Sequence, residues 1–163
     1  MSQLGQVRIR HKAPNFHCEA VVGGAIQEVS LSTFIALRSP GTPDPDKPWL
    51  LLLFIPAAFS CVCPTEVIAF QNCYDEVCDR YCSIAFVSVD TEHSLWHWQN
   101  VPRQYGGLGN IDIPLLSDAT HKIGRDYGVL VEEEGVSLRG VFIVDGEGLV
   151  QQACLTCLVQ HDF

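Results

Sequence analysis

Basic residues are scarce in this chain. Ten Lys and Arg face nineteen Asp and Glu, which leaves a formal net charge of −9. A surface that acidic repels a phosphate backbone, and no cluster of basic residues offsets it, so nucleic acid and anionic membrane are excluded as expected partners. Long apolar runs are lacking too. The longest, residues 49–55, is closed by Pro56 and is far too short to cross a bilayer. The opening MSQLGQVRIRHKAPNF has basic residues but neither an apolar h-region nor a small-residue cleavage site, so cytoplasmic residence is the expectation. Internal repeats and low-complexity tails are absent as well.

What is present is the composition of a folded domain. Hydrophobic residues make up 47% of the chain and charged ones 18%, and 163 residues suit one domain spanning 1–163. Four prolines and a glycine between residues 39 and 48 forbid regular structure and predict a surface loop ahead of a buried strand. Beyond it, strand and helix patterns alternate. Residues 49–55 and 83–89 are continuous apolar runs of the kind expected for strands covered on both faces. From Pro64 the apolar positions Val67, Phe70, Tyr74, Val77 and Tyr81 recur at helical spacing, and residues 91–100 and 119–127 are predicted helical. Residues 140–144 and 149–154 flank Asp145-Gly146-Glu147-Gly148, a hairpin signal. The pattern predicts an α/β fold of three layers, a central mixed β-sheet flanked by helices.

The eight cysteines are many for a reducing compartment, where they act as buried hydrophobes, metal ligands or catalytic thiols before structural disulfides. One stands out. In Pro56-Ala57-Ala58-Phe59-Ser60-Cys61-Val62-Cys63-Pro64-Thr65-Glu66 a buried strand ends and a helix begins, with Pro64 suited to its first position. Cys63 therefore falls at a helix N-terminus, where unsatisfied N–H groups and the positive end of the dipole favour a thiolate. A hydroxyl three residues earlier, Ser60, is placed to hydrogen-bond whatever that sulfur attacks. A nearby guanidinium would stabilise the thiolate and the charge that develops during attack, although spacing alone does not say which arginine supplies it.

These residues resemble the peroxiredoxin family. Pro56, Ser60 and Cys63 match its P-x-x-x-T/S-x-x-C signature, and Val62-Cys63-Pro64-Thr65-Glu66 is similar to the V-C-P-T-E of the typical 2-Cys branch. Ala13-Pro14-Asn15-Phe16, Ser88-Val89-Asp90, Trp98, Pro102-Arg103 and Gly106-Gly107-Leu108-Gly109 follow in family order. So do residues 113–118, 126–130 and 138–145. The resemblance implies a thioredoxin-like fold and a thiol peroxidase that reduces hydrogen peroxide and organic hydroperoxides. Cys63 would pass through a sulfenic acid, with thioredoxin or another thiol as reductant. It also implies that Arg139 is the active-site arginine, that Glu66 orients it, that Pro56 shields the sulfur from water, and that chains associate as homodimers or higher oligomers. No cofactor and no metal are implied.

The last residues depart from the typical 2-Cys pattern. That branch continues past the hairpin with N-D-L-P-V-G-R, a long helix and a resolving cysteine in V-C-P. Here Gln151-Gln152-Ala153-Cys154-Leu155-Thr156-Cys157 leads to Phe163, so the expectation is a truncated or alternatively spliced product without the usual resolving thiol. The second arginine that helps position Glu66 and Arg139 is missing with it. Cys154 and Cys157 are then the candidate substitute resolving thiols. Without one, Cys63 either depends on a foreign thiol or over-oxidises. The alternative function follows: a catalytically weak variant acting as a redox sensor or oligomeric interaction protein. Ala58 and Cys61 stand where the branch commonly has Asp and Phe. Gly106-Gly107-Leu108-Gly109 resembles one half of the family's over-oxidation signature.

Blander readings fit the remaining features better than chemistry does. Cys61-Val62-Cys63 with Cys154-Leu155-Thr156-Cys157 can be drawn as a four-thiolate zinc site, but the match requires Cys63 for peroxide. Cys73, Cys78 and Cys82 are expected on the helix after the active site, as small core or surface thiols, and Cys18 likewise. His93 and His97 have i, i+4 spacing on one predicted helix with no third ligand, which favours a solvated or packing face.

Overall fold

A computed structural model of the chain describes residues 7–35, 48–59 and 63–156. Ser60, Cys61 and Cys157 lie outside these residues, as does the proline-rich loop apart from Pro48. In chain order the elements are β1 (His17–Val22), β2 (Ala25–Ser30), α1 (Leu31–Ile35), β3 (Trp49–Phe54), α2 (Cys63–Asn72) and α3 (Tyr74–Asp79). Then come β4 (Cys82–Ser88), α4 (Glu92–Asn100), β5 (Leu115–Ser117), α5 (Lys122–Asp126), β6 (Leu130–Val131), β7 (Val136–Ser137), β8 (Arg139–Val144) and β9 (Val150–Thr156). Seven strands form one sheet in the order β2-β1-β5-β4-β3-β8-β9. β3, β4 and β5 run parallel and the outer pairings are antiparallel, so the sheet is mixed as expected.

The apolar run of β3 is continuous because both of its faces are covered. Leu50, Leu52 and Phe54 point to one side, where Phe34 of α1, Ile123 of α5, Tyr127 and Phe142 meet them. Leu53 points to the other, against Val67 of α2, Leu95 and Trp98 of α4, and Phe86. Leu50 and Leu52 have no exposed surface. Burying a leucine completely contributes about 1.5–3 kcal/mol, so the three layers hold together through this central strand. Phe54, Tyr127 and Phe142 form an aromatic cluster with centroids 5.1–5.6 Å apart. The Tyr127 hydroxyl donates to the Pro14 carbonyl at 2.8 Å, tying the N-terminal segment to this core.

Several elements differ from the sequence expectation for identifiable reasons. The helix expected to run on from Pro64 is two helices, and Tyr81, at φ 57°, ends the second and turns the chain into β4. Cys82 is therefore the first residue of a strand and not a helical neighbour of Cys78. The helix expected at 119–127 starts only at Lys122. Asp118 accepts from the backbone N–H groups of Ile123 at 2.9 Å and Gly124 at 2.7 Å, and so holds the preceding residues in a turn. Gly107 admits no side chain, since a Cβ there would lie 1.9 Å from the Val101 carbonyl oxygen. That close approach lets Leu108 N–H reach the Trp98 carbonyl at 3.0 Å and the Trp98 indole reach the Gly106 carbonyl at 3.1 Å. Trp98 is thereby fixed beneath the loop that follows β3.

Candidate functional site

The site forms where β3 hands over to α2. Ile55 extends the strand by one residue, its N–H donating to the Val87 carbonyl at 3.0 Å, and half-buried Pro56 then turns the chain away from the sheet. Asp90, just beyond β4, holds the turn. Its Oδ2 accepts from the Ala58 N–H at 2.7 Å and from the Ser88 hydroxyl. Phe59, at φ 60°, lays its ring against His97 and Trp98 of α4, each with a centroid separation of 6.1 Å. The sequence reading missed the role of Asp90, although Ser88-Val89-Asp90 was among the matching blocks. A carboxylate at the end of a parallel strand beside the site was the available signal.

Cys63 opens α2 and is completely buried, in the cluster formed by Leu53, Ile55, Val67 and Phe86. The described part of α2 opens on Cys63, with Pro64 next to it. The sheet brings Arg139 to this end of the helix. β8 pairs antiparallel with β3, Phe54 opposite Gly140, so the first residue of β8 sits beside the strand end from which the site is built. The Arg139 Nη2 group points a donor at Cys63 Sγ from 3.8 Å, and its Nε donates to Glu66 Oε1 at 2.8 Å. One guanidinium thus spans the sulfur and the carboxylate three residues later on the same helix. Its planar fork allows both contacts at once.

Arg139 and Glu66 are 19% and 30% exposed, so their ion pair is partly screened. Glu66 also lies in the first turn of α2, where a carboxylate is favoured by the helix dipole. Its second oxygen, Oε2, is buried and has no hydrogen-bond partner among the described residues. A cavity of about 200 Å³ adjoins the pair, lined by Glu66, Phe70, Arg139 and Val141 among others. Of the residues named from sequence, the structure brings Cys63, Glu66 and Arg139 together and places Pro56 at the strand end. Cys154 is exposed on β9.

A larger cavity, about 570 Å³, lies elsewhere, against Cys18, Glu19, Glu92 and Asp118. Burial, reinforced by the nearby Asp118 charge, pushes the Cys18 thiol up to about 12, and burial raises Cys82 too. Cys73, Cys78 and Cys154 are exposed. At pH 8 iodoacetamide is therefore expected to label Cys73, Cys78 and Cys154 ahead of Cys18 and Cys82. Cys18 should react roughly 10³-fold more slowly than an ordinary thiol, from its smaller thiolate fraction alone. Time-resolved peptide mass mapping reads the order, and equal rates for Cys18 and Cys73 would contradict it. Among the described residues no group of three or more His, Cys, Asp or Glu is placed to hold a metal ion. His93 is exposed with Glu92 3.5 Å away, and His97 packs on Phe59.

Known proteins share this arrangement of chain. A family model described as the AhpC/TSA family matches residues 9–153. Peroxiredoxin TSA1 of Saccharomyces cerevisiae is 43% identical over 151 residues, which span 93% of this chain and 71% of that one. A thioredoxin peroxidase of Echinococcus granulosus is 40% identical over 146 residues, 90% of this chain and 70% of that one. Among solved structures, the reduced 2-Cys peroxiredoxin of Plasmodium vivax superposes with a TM-score of 0.82 at 35% identity, covering 95% of this chain and 89% of that one. The seven-stranded mixed sheet with helices on both faces is the thioredoxin-like fold of such proteins. With the match running through both ends of the sheet and the segment around Cys63, the chain belongs to the AhpC/TSA family, among the peroxiredoxins.

Proposed function

We propose that the chain is a thiol peroxidase that reduces hydrogen peroxide and organic hydroperoxides at Cys63. The observation that carries this is the Arg139 guanidinium, which reaches Cys63 Sγ at 3.8 Å while Glu66 fixes it at 2.8 Å. A cation pre-positioned against a sulfur at a helix N-terminus stabilises the thiolate before peroxide arrives. The thiolate attacks the nearer peroxide oxygen, the O–O bond breaks, and the departing hydroxide or alkoxide is protonated. Cys63 is left as a sulfenic acid. Arg139 faces the charge that moves from sulfur to the leaving oxygen, so it favours the transition state over the resting thiol. Ser60 is assigned as hydrogen-bond donor to the peroxide, Pro56 as the shield of the sulfur, and Glu66 as the residue that positions Arg139.

The final reductant is assigned as thioredoxin or another thiol. The name of the Echinococcus relative supports the first choice. The whole chain acts as one thioredoxin-like unit in the cytoplasm. A second copy of the chain is the natural partner for β9, which lies at the sheet's edge and, beyond Val150, has no strand on its outer side among the described residues. Thioredoxin-coupled consumption of hydrogen peroxide tests the function. Sustained turnover is expected. A single stoichiometric burst of oxidation followed by silence would favour the redox-sensor reading. No oxidation of Cys63 would overturn both.

A further inference from the structure

The placement of Cys154 has a consequence for the fate of the oxidised sulfur. β8 and β9 pair antiparallel with Arg139 opposite Thr156, Val141 opposite Cys154 and Ile143 opposite Gln152. Opposed residues in such a ladder share a face, so Cys154 lies on the sheet face that carries Arg139 and Val141. This is the face covered by α2, since Val141 packs with the cluster that contains Cys63 and Val67. Cys154 is the diagonal neighbour of Arg139, with a Cα separation of about 7–8 Å for that relation. Arg139 in turn touches Cys63.

The cavity of about 200 Å³ is bounded at one end by Glu66 and Arg139, both beside Cys63, and at another by Val141, the cross-strand partner of Cys154. The buried Glu66 Oε2, without a hydrogen-bond partner among the described residues, belongs to the same first turn of α2 as Cys63, so opening that turn exposes it to water. A disulfide requires Cα atoms about 4.4–6.8 Å apart, so the two cysteines must reach that separation before they join. Releasing one terminal turn is the least costly way for a helix to open.

We propose that Cys154 is the thiol that resolves Cys63 within the same chain. The inference rests on the assignment of Cys63 as the peroxidatic thiol. Once peroxide has made the Cys63 sulfenic acid, the Cys154 sulfur attacks the Cys63 sulfur and the S–O bond breaks. The leaving hydroxide takes the thiol proton as water, and an intrachain disulfide remains for a dithiol reductant to open. The exposure of Cys154 leaves this disulfide accessible to that reductant.

The test treats the reduced full chain with one equivalent of hydrogen peroxide, blocks remaining thiols and maps the peptides without reduction, beside a non-reducing gel. The expected product is a Cys63–Cys154 linked peptide, two hydrogens lighter than the separate thiols, in a band of monomer size. In Cys154→Ser the link is lost, and Cys63 is recovered as a dimedone adduct or as sulfinic acid. A link from Cys63 to Cys157 or to another chain would overturn the inference. So would identical Cys63 products in wild type and Cys154→Ser. Either result leaves the peroxidase assignment standing. Cys63 unmodified in both proteins would overturn that assignment, and the inference with it.

Discussion

Replacing Cys63 with serine is expected to reduce peroxide consumption by at least about a thousandfold, to the background of the other thiols, as removal of a nucleophile does. The size follows from what the site has invested in one atom. Cys63 is fully buried, yet it sits at the end of a helix with a guanidinium donor 3.8 Å from its sulfur. A serine hydroxyl fits the same space but is a far weaker nucleophile, so the atom that attacks peroxide is lost. The fold should survive the change, because the substitution is nearly isosteric and the surrounding apolar cluster is unaltered. Competition or coupled assays on the purified variant measure the rate, and circular dichroism confirms the fold. A loss smaller than tenfold would place the chemistry on another cysteine. The exposed Cys73, Cys78 and Cys154 would then be the first to consider.

Arg139 carries the second large effect. Arg139→Ala is expected to lower kcat/KM for peroxide by about 10²–10³-fold, the range for losing a group aimed at developing charge. Arg139→Lys should recover little of it. A single ammonium cannot place one fixed donor on Glu66 Oε1 and another on the sulfur, which the guanidinium does at 2.8 and 3.8 Å. Glu66→Gln is the informative companion. It keeps an acceptor for Arg139 while removing the charge, so it tests positioning alone and should cost less than either arginine variant. The arginine variants also leave the Glu66 carboxylate without its partner, so a lowered Tm accompanies the lost rate. An Arg139→Lys enzyme with wild-type kcat/KM would mean that general positive charge suffices and that the fork geometry is irrelevant.

Half of this site was legible locally. Residues 49–55 read as a buried strand because both faces of β3 are covered, and Cys63 and Pro64 lie in α2, the helix expected after that strand. Arg139 was not legible in that way. It lies 76 residues further along, and its arrival depends on β8 pairing antiparallel with β3 in one register, which no local pattern encodes. Its identification in the sequence came from resemblance, and the geometry supplies the physical reason. Local reading also failed where tertiary contacts override periodicity. Tyr81 continued a helical spacing but turns the chain in a left-handed conformation, so Cys82 became a strand residue. The hairpin of β1 and β2 was overlooked although Gly23-Gly24 carries its signal, with φ 59° and 82° at the two turn residues. The second hairpin was readable because Asp145 locks it, its Oδ1 accepting from Glu147 N–H at 2.9 Å and Leu149 N–H at 3.0 Å.

The central claim is that peroxide oxidises one particular sulfur first. It is tested most directly by mixing the reduced chain with one equivalent of hydrogen peroxide in the presence of dimedone, quenching within seconds, and locating the adduct by peptide mass mapping. The structure predicts that the earliest oxidation product, adduct or disulfide, contains Cys63, ahead of the more exposed Cys73, Cys78 and Cys154. Early oxidation spread over the exposed cysteines, with Cys63 untouched, would contradict it.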